Sequence, residues 1–125
     1  MQVSEIMTPN CQTCRPEDPL HSAAKAMASL EVGALPVAKN DRLVGMLTDR
    51  DIAVRSAIRG LELKHATVGD VMTDKVFYCF DDQPTEDVAQ NMASLQVRRL
   101  PVVDRNKQLV GIVSLSDLPP GRARA

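Results

Sequence analysis

The chain has 125 residues, 44% apolar and 25% charged, which is the balance of one ordinary globular domain and too little for two independent ones. A net charge of −1, with no Trp, one Tyr and two Phe, supplies neither the basic surface nor the stacking platform of a nucleic-acid binder. No apolar run approaches the ~20 residues of a membrane helix, and Met1-Gln2-Val3-Ser4-Glu5 lacks the basic and apolar segments of a signal peptide, so the expected compartment is the cytoplasm.

The first ordered pieces are Met7-Thr8 and a short extended segment, Gln12-Thr13-Cys14. Asp18-Pro19 predicts a helix start, with Asp as N-cap and Pro in the first turn. The helix that follows places Leu20, Ala23, Ala24, Met27 and Leu30 on one face. A strand over Leu35-Pro36-Val37-Ala38 leads through the polar turn Asn40-Asp41-Arg42 to a second strand, Leu43 to Leu47. Thr48-Asp49-Arg50-Asp51 has the S/T-x-x-D form of a capping box. The helix behind it carries Ile52, Ala53, Ser56 and Ile58 and stops at Gly60. Leu61 to Val71 is a linker without low-complexity sequence.

From there the chain begins again. Met72-Thr73 repeats Met7-Thr8 and Pro84 repeats Pro19, both at a shift of 65 residues. At the same shift Met92-Ala93-Ser94-Leu95-Gln96-Val97 repeats Met27-Ala28-Ser29-Leu30-Glu31-Val32, and Leu100-Pro101-Val102 repeats Leu35-Pro36-Val37. Leu109-Val110-Gly111 repeats Leu43-Val44-Gly45 at a shift of 66, one residue having been inserted in the turn Arg105-Asn106-Lys107-Gln108. Phe77-Tyr78-Cys79 is the second extended piece, and Val88, Ala89, Met92 and Leu95 form the second helix face. The strands are Leu100-Pro101-Val102-Val103 and Leu109 to Val113. Ser114-Leu115-Ser116-Asp117 is the second capping box, and Pro119-Pro120-Gly121 ends its helix after about one turn. Each copy is strand–helix–strand–strand–helix, the first spanning 1–62 and the second 63–125, with 119–125 a tail. The fold class is α/β (α+β). A copy of this size is marginal alone, so the two are expected to share one core as a pseudo-twofold domain.

The duplicated L-P-V followed by G-x-x-[ST]-x-x-D, with the M-T pair at each start, resembles the cystathionine-β-synthase (CBS) domain pair, or Bateman module. The resemblance covers about residues 3 to 118. It implies a regulatory ligand, an adenosine-containing nucleotide (AMP, ADP or ATP, with NAD and S-adenosylmethionine also in range), held in the cleft between the copies. It implies no catalytic cofactor. Thr48 and Ser114 are implied to hold phosphate, and Asp51 and Asp117 ribose.

That assignment has its own chemistry. A hydroxyl where a strand turns into a helix either caps the helix or donates to a phosphate oxygen. A carboxylate three residues on can accept hydrogen bonds from the two hydroxyls of a ribose diol. Both pairs are also explained by capping alone. Arg98 and Arg99 precede the second L-P-V where the first copy has Gly33-Ala34, and the family often aims basic residues from this position at phosphate. Arg50 lies inside the first motif. These arginines are either phosphate ligands or solvated charges. The first site is expected to be the stronger, with Arg98 and Arg99 reaching it from the other copy. Adenine is expected between aliphatic side chains such as Val32, Val37, Met46 and Ile112, its edge read near Thr13-Cys14 and Tyr78-Cys79.

No nucleophile–base–orienter set, carboxylate cluster or Walker-type loop is present, so no catalysis is expected. His21 falls on a helix surface and His65 in the linker. Cys11, Cys14 and Cys79 are an odd number in an expected reducing compartment, which argues against a disulfide framework, and Cys11-Gln12-Thr13-Cys14 is at most half a metal site, so no metal is expected. The predicted module signals to an unknown regulated protein by a conformational or dimer change. A homodimer is expected through the helix stripes Ala24, Met27, Ala28 and Ala89, Met92, Ala93. Two rival readings stand beside this one, a ligand-free protein–protein interaction module and a thiol- or metal-responsive stress protein using the three cysteines.

Overall fold

The computed structural model describes residues 1–119. Pro120-Gly121 and the rest of the predicted tail lie outside the described residues. In chain order the elements are a 3-10 turn (Val3–Glu5), β1 (Thr8–Pro9), α1 (Leu20–Leu30), β2 (Ala34–Lys39), β3 (Arg42–Thr48), α2 (Asp49–Arg59), α3 (Val68–Val71), β4 (Cys79–Phe80), α4 (Thr85–Leu95), β5 (Arg99–Val103), β6 (Leu109–Ser114) and a second 3-10 turn (Leu115–Asp117). Among the described residues no helix is long and apolar enough to cross a membrane.

The chain divides into two compact units, and their boundary is not the repeat boundary at 62/63. One unit is Gln12–Val76; the other joins Met1–Cys11 to the chain from Phe77 onward. The cause is a reciprocal exchange of opening arms. The Met7-Thr8 arm of the first repeat pairs with β6 of the second, Thr8 opposite Ile112 and Pro9 opposite Gly111. The Met72-Thr73 arm of the second repeat pairs with β3 of the first, Thr73 opposite Met46. The second unit's sheet therefore runs β1-β6-β5-β4. The Gln12–Val76 unit keeps the same order in reduced form, with Thr73 beside β3, β3 beside β2, and Cys14 bridging Val37.

The internal symmetry extends to irregularities. The β2–β3 ladder slips between Val37 and Ala38, and the β5–β6 ladder slips at the equivalent Val102 and Val103. Asn40 and Asp41, at φ of 53° and 65°, make the tight two-residue hairpin loop joining β2 to β3. The extra residue of the second copy enlarges the matching loop, where the Asp104 carboxylate accepts from the N–H groups of Asn106 and Gln108.

The helix starts differ from expectation. Pro19 itself occupies the N-cap of α1, as Pro84 does for α4, and neither helix has a side-chain cap. The Asp18 carboxylate turns back to accept from Arg15 N–H at 2.9 Å, and the equivalent Gln83 accepts from Phe80 N–H at 2.8 Å. Pro holds the preceding residue extended, so the side chain before it reaches backwards to close the loop. Gly60 ends α2 at φ 65°, as the sequence predicts.

Among the described residues the buried side chains form a cluster within each unit. Leu20, Ala23, Met27, Leu35, Val37 and Leu47 centre the first, and Val88, Ala89, Met92, Leu100, Val102 and Val113 the second. Leu30 and its counterpart Leu95, predicted on the buried faces, are 48% and 36% exposed. Both sit in the last turn, where Glu31 and Gln96 flip to left-handed φ and carry the chain away from the core. Ile58 of α2 is 79% exposed.

Cys14 and Cys79 occupy equivalent places in the two cores, each thiol directed at a proline carbonyl, Pro36 or Pro101. Burial pushes both thiols up to about 12. In the unfolded chain a thiol ionises near 9, so the stabilisation from keeping these protons is complete below pH 9 and is lost as pH rises towards 12. Raising the pH from 8 to 10 is expected to cost roughly 1.4 kcal/mol per thiol. Thermal melts at the two pH values check this: the Cys14→Ala/Cys79→Ala chain should lose less stability than wild type over the interval.

Candidate functional site

The site begins where β3 passes into α2. Thr48, extended at φ −116°, is the N-cap. Its Oγ1 accepts from Asp51 N–H at 3.0 Å, and Asp51 Oδ2 accepts from Thr48 N–H at 3.1 Å. The capping box read from the sequence is thus closed in both directions. Two valences remain. The Thr48 hydroxyl spends only a lone pair in the cap, so its proton is available to a phosphate oxygen. Asp51 spends Oδ2 on the cap and on the Thr73 hydroxyl at 3.5 Å, while Oδ1 has Arg55 Nε at 4.0 Å as its nearest basic group. The Asp51 side chain remains 15% exposed.

The equivalent place ends β6. Asp117 Oδ2 accepts from Ser114 N–H at 2.9 Å and from the Ser114 hydroxyl at 3.0 Å. The Ser114 Oγ lies 2.9 Å from Ser116 Oγ. Here the hydroxyl proton is already committed to the carboxylate, so donating to a ligand requires the serine to rotate. Leu115–Asp117 is a single 3-10 turn, as Pro119 dictates, whereas α2 runs for 11 residues.

Arg98 and Arg99 line a cavity of about 380 Å³ together with Ser114, Leu115 and Ser116. The pairing of Arg99 with Ser114 across β5 and β6 creates this grouping. Within their own unit the two arginines are thus grouped with the serine motif of their own repeat. Arg50 is exposed in the first turn of α2.

The expected adenine contacts divide. Val37, Cys14 and Cys79 are 0%, 5% and 1% exposed, so their side chains belong to the cores and not to an open pocket. The backbone of Cys14 is also consumed, its N–H by Pro36 C=O and its C=O by Ala38 N–H. Thr13, Met46 and Ile112 are half-buried. Val32 is 40% exposed, and Tyr78 is 41% exposed with its ring edge-on to Phe80 at 5.7 Å. Of the predicted dimer stripes, Met27, Ala89 and Met92 are buried in the cores, while Ala28 and Ala93 are exposed.

Two residues outside the sequence reading of the site, Arg55 and Thr73, and one inside its first motif, Asp49, lie against these groups. Arg55 donates from Nη1 to the carbonyls of Val71 and Met72, both at 2.9 Å, tying α2 to the second arm beside Asp51. Its i+4 spacing from Asp51 was the available signal. Thr73 touches the Asp51 carboxylate, a contact no local pattern reveals. Asp49 lies against Gly33: a Cβ built on Gly33 would stand 3.3 Å from Asp49 Oδ2. Cys11 is half-buried, and among the described residues no group of three or more His, Cys, Asp or Glu side chains is placed to hold a metal ion.

A CBS domain family model matches residues 3–57 and 68–118. The CBS domain-containing protein YhcV of Bacillus subtilis (strain 168) is 42% identical over 116 residues, which cover 93% of this chain and 81% of that protein. The solved structure of Hypoxic Response Protein I with two coordinated zinc ions is similar at a TM-score of 0.84, with 34% identity over 94% of this chain and 95% of that one. The solved structure of CBSX2 in complex with AMP is similar at 0.79, with 30% identity over 93% and 91% of the two chains.

Proposed function

Because the chain belongs to the CBS domain family, a tandem pair of regulatory repeats, we propose that it is a non-catalytic sensor of an adenosine-containing nucleotide. The observation that carries this reading is the hydroxyl–carboxylate pair at the same strand end in both repeats. In the first repeat the Thr48 hydroxyl spends only a lone pair on the cap, and Asp51 Oδ1 makes no hydrogen bond among the described residues, its nearest basic group being Arg55 Nε at 4.0 Å. Thr48 or Ser114 takes phosphate, Asp51 or Asp117 takes the ribose diol, and half-buried Met46 or Ile112 supplies apolar contact for the base. The AMP complex of the similar CBSX2 supports an adenosine ligand. Occupancy shifts a conformational or dimer equilibrium that a regulated partner reads, to the extent of the ligand's differential affinity for the two states.

Calorimetric titration of the folded protein with adenosine, AMP, ADP, ATP, NAD and S-adenosylmethionine tests this. Saturable heat with at least one of them is expected. A folded protein silent to all six leaves the motifs as helix caps and favours an interaction module. Because the similar Hypoxic Response Protein I carries coordinated zinc, a zinc titration runs alongside. Zinc binding without nucleotide binding favours the metal-responsive reading.

A further inference from the structure

The two repeats carry different charge at one equivalent place. Leu115 N–H donates to Arg98 C=O at 2.7 Å, and Asp49 N–H donates to Gly33 C=O at 3.0 Å. Arg99 faces Ser114 across its ladder exactly as Ala34 faces Thr48. The backbones correspond, so the side chains can be compared place by place. The cavity of the second repeat has two arginines, two serines and Leu115. The first repeat has Gly33 and Ala34 in place of the arginines, with Asp49 and Arg50 in place of Leu115 and Ser116.

The Asp49 carboxylate therefore occupies the space over Gly33 where the other repeat presents arginine. The neighbouring α1–α2 groove is lined by Glu31 and Asp49 among otherwise apolar residues. At this place one repeat offers two cations that have no salt bridge among the described residues; the other offers an ion of each sign, with a second carboxylate near. Extended phosphate chains carry several negative charges and gain most from guanidinium pairs, while a carboxylate in the same place repels them.

Resting on the nucleotide reading above, we infer that the two repeats discriminate by ligand charge. The Arg98/Arg99 cavity accepts the phosphate chain of a nucleoside di- or triphosphate. The first repeat rejects that chain because of Asp49 and takes a nucleoside bearing one phosphate or none.

Calorimetry with ATP and adenosine on the full chain tests this. Wild type should bind one ATP per chain, with an affinity that falls more steeply with salt than that for adenosine. Arg98→Ala/Arg99→Ala should lose ATP affinity at least about 10-fold, while adenosine affinity changes much less. Both arginines are exposed, and a thermal melt confirms that the variant is folded. The converse variant Gly33→Arg/Asp49→Leu should raise ATP stoichiometry to two. Two ATP per wild-type chain, or ATP affinity indifferent to loss of both arginines, overturns the inference while leaving nucleotide sensing intact. Silence towards both ATP and adenosine overturns the nucleotide reading and this inference with it.

Discussion

Replacing Gly111 by Val is expected to destabilise the protein by about 3 kcal/mol, lowering the melting temperature by roughly 10 °C. A Cβ at this position would lie 2.6 Å from the Thr8 carbonyl oxygen and 2.8 Å from the Met7 sulfur. The methionine can rotate away. The carbonyl cannot, because it belongs to the arm whose neighbour Pro9 pairs with Gly111 itself. The arm must lift, or β6 must bend, and either breaks the edge of the sheet. Gly45 repeats the arrangement against Thr73 O at 2.8 Å and Met72 S at 3.0 Å, so Gly45→Val is expected to cost somewhat less. Strand propensity works in the opposite direction, since Val is the better strand former; a net loss therefore isolates the arm contact. Gly60→Ala is the control. Nothing lies within 4 Å of its built Cβ, and only the φ of 65° opposes the change, a cost of about 1 kcal/mol. A Gly111→Val chain melting no lower than the Gly60→Ala chain would remove the arm exchange as the reason for this glycine.

That contact also marks where the sequence stopped being legible. Much that is local was readable: the bodies of the three long helices, the Gly60 stop, the turn holding the extra residue, and the two hydroxyl–carboxylate boxes, though not the proline N-caps or the short α3 inside the linker. Met-Thr and the motif glycine were both visible as repeated pieces, but no pattern said that each touches the other across repeats. Gly111 and Thr8 are far apart along the chain, and a tight backbone approach leaves no compositional trace beyond the glycine. The helix ends at Glu31 and Gln96 were hidden for a different reason. Left-handed φ is expected of Gly or Asn, and here charged and amide side chains adopt it. The site was half legible. Its hydroxyls and carboxylates were visible as a repeated spacing, and Arg55 stood one helical turn from Asp51, whereas Thr73 beside Asp51 and the Asp49 carboxylate over Gly33 are placed by tertiary contacts. Of the expected adenine contacts, Val37, Cys14 and Cys79 turned out to be buried core side chains, because an aliphatic or thiol side chain in a strand suits a pocket wall and a core equally well. Only burial separates the two.

The same limit makes Asp51 the decisive substitution, because capping and ligand binding draw on one carboxylate. Asp51→Ala removes both, and is expected to cost about 1 kcal/mol of stability and roughly 10- to 100-fold in adenosine affinity. That result alone would not separate the roles. Asp51→Asn does. The amide oxygen can replace Oδ2 as acceptor for Thr48 N–H, which restores the cap and most of the stability. The amide nitrogen then takes the place of Oδ1, presenting a donor where the ribose hydroxyls also donate. Affinity is therefore expected to stay near that of Asp51→Ala while the melting temperature returns towards wild type. If Asp51→Asn instead binds adenosine as wild type does, the carboxylate is a helix cap and the ligand is held elsewhere. Thermal melts and calorimetry on the same three proteins decide it, since a purely structural aspartate moves both readouts together and a ligand-bearing one moves them apart.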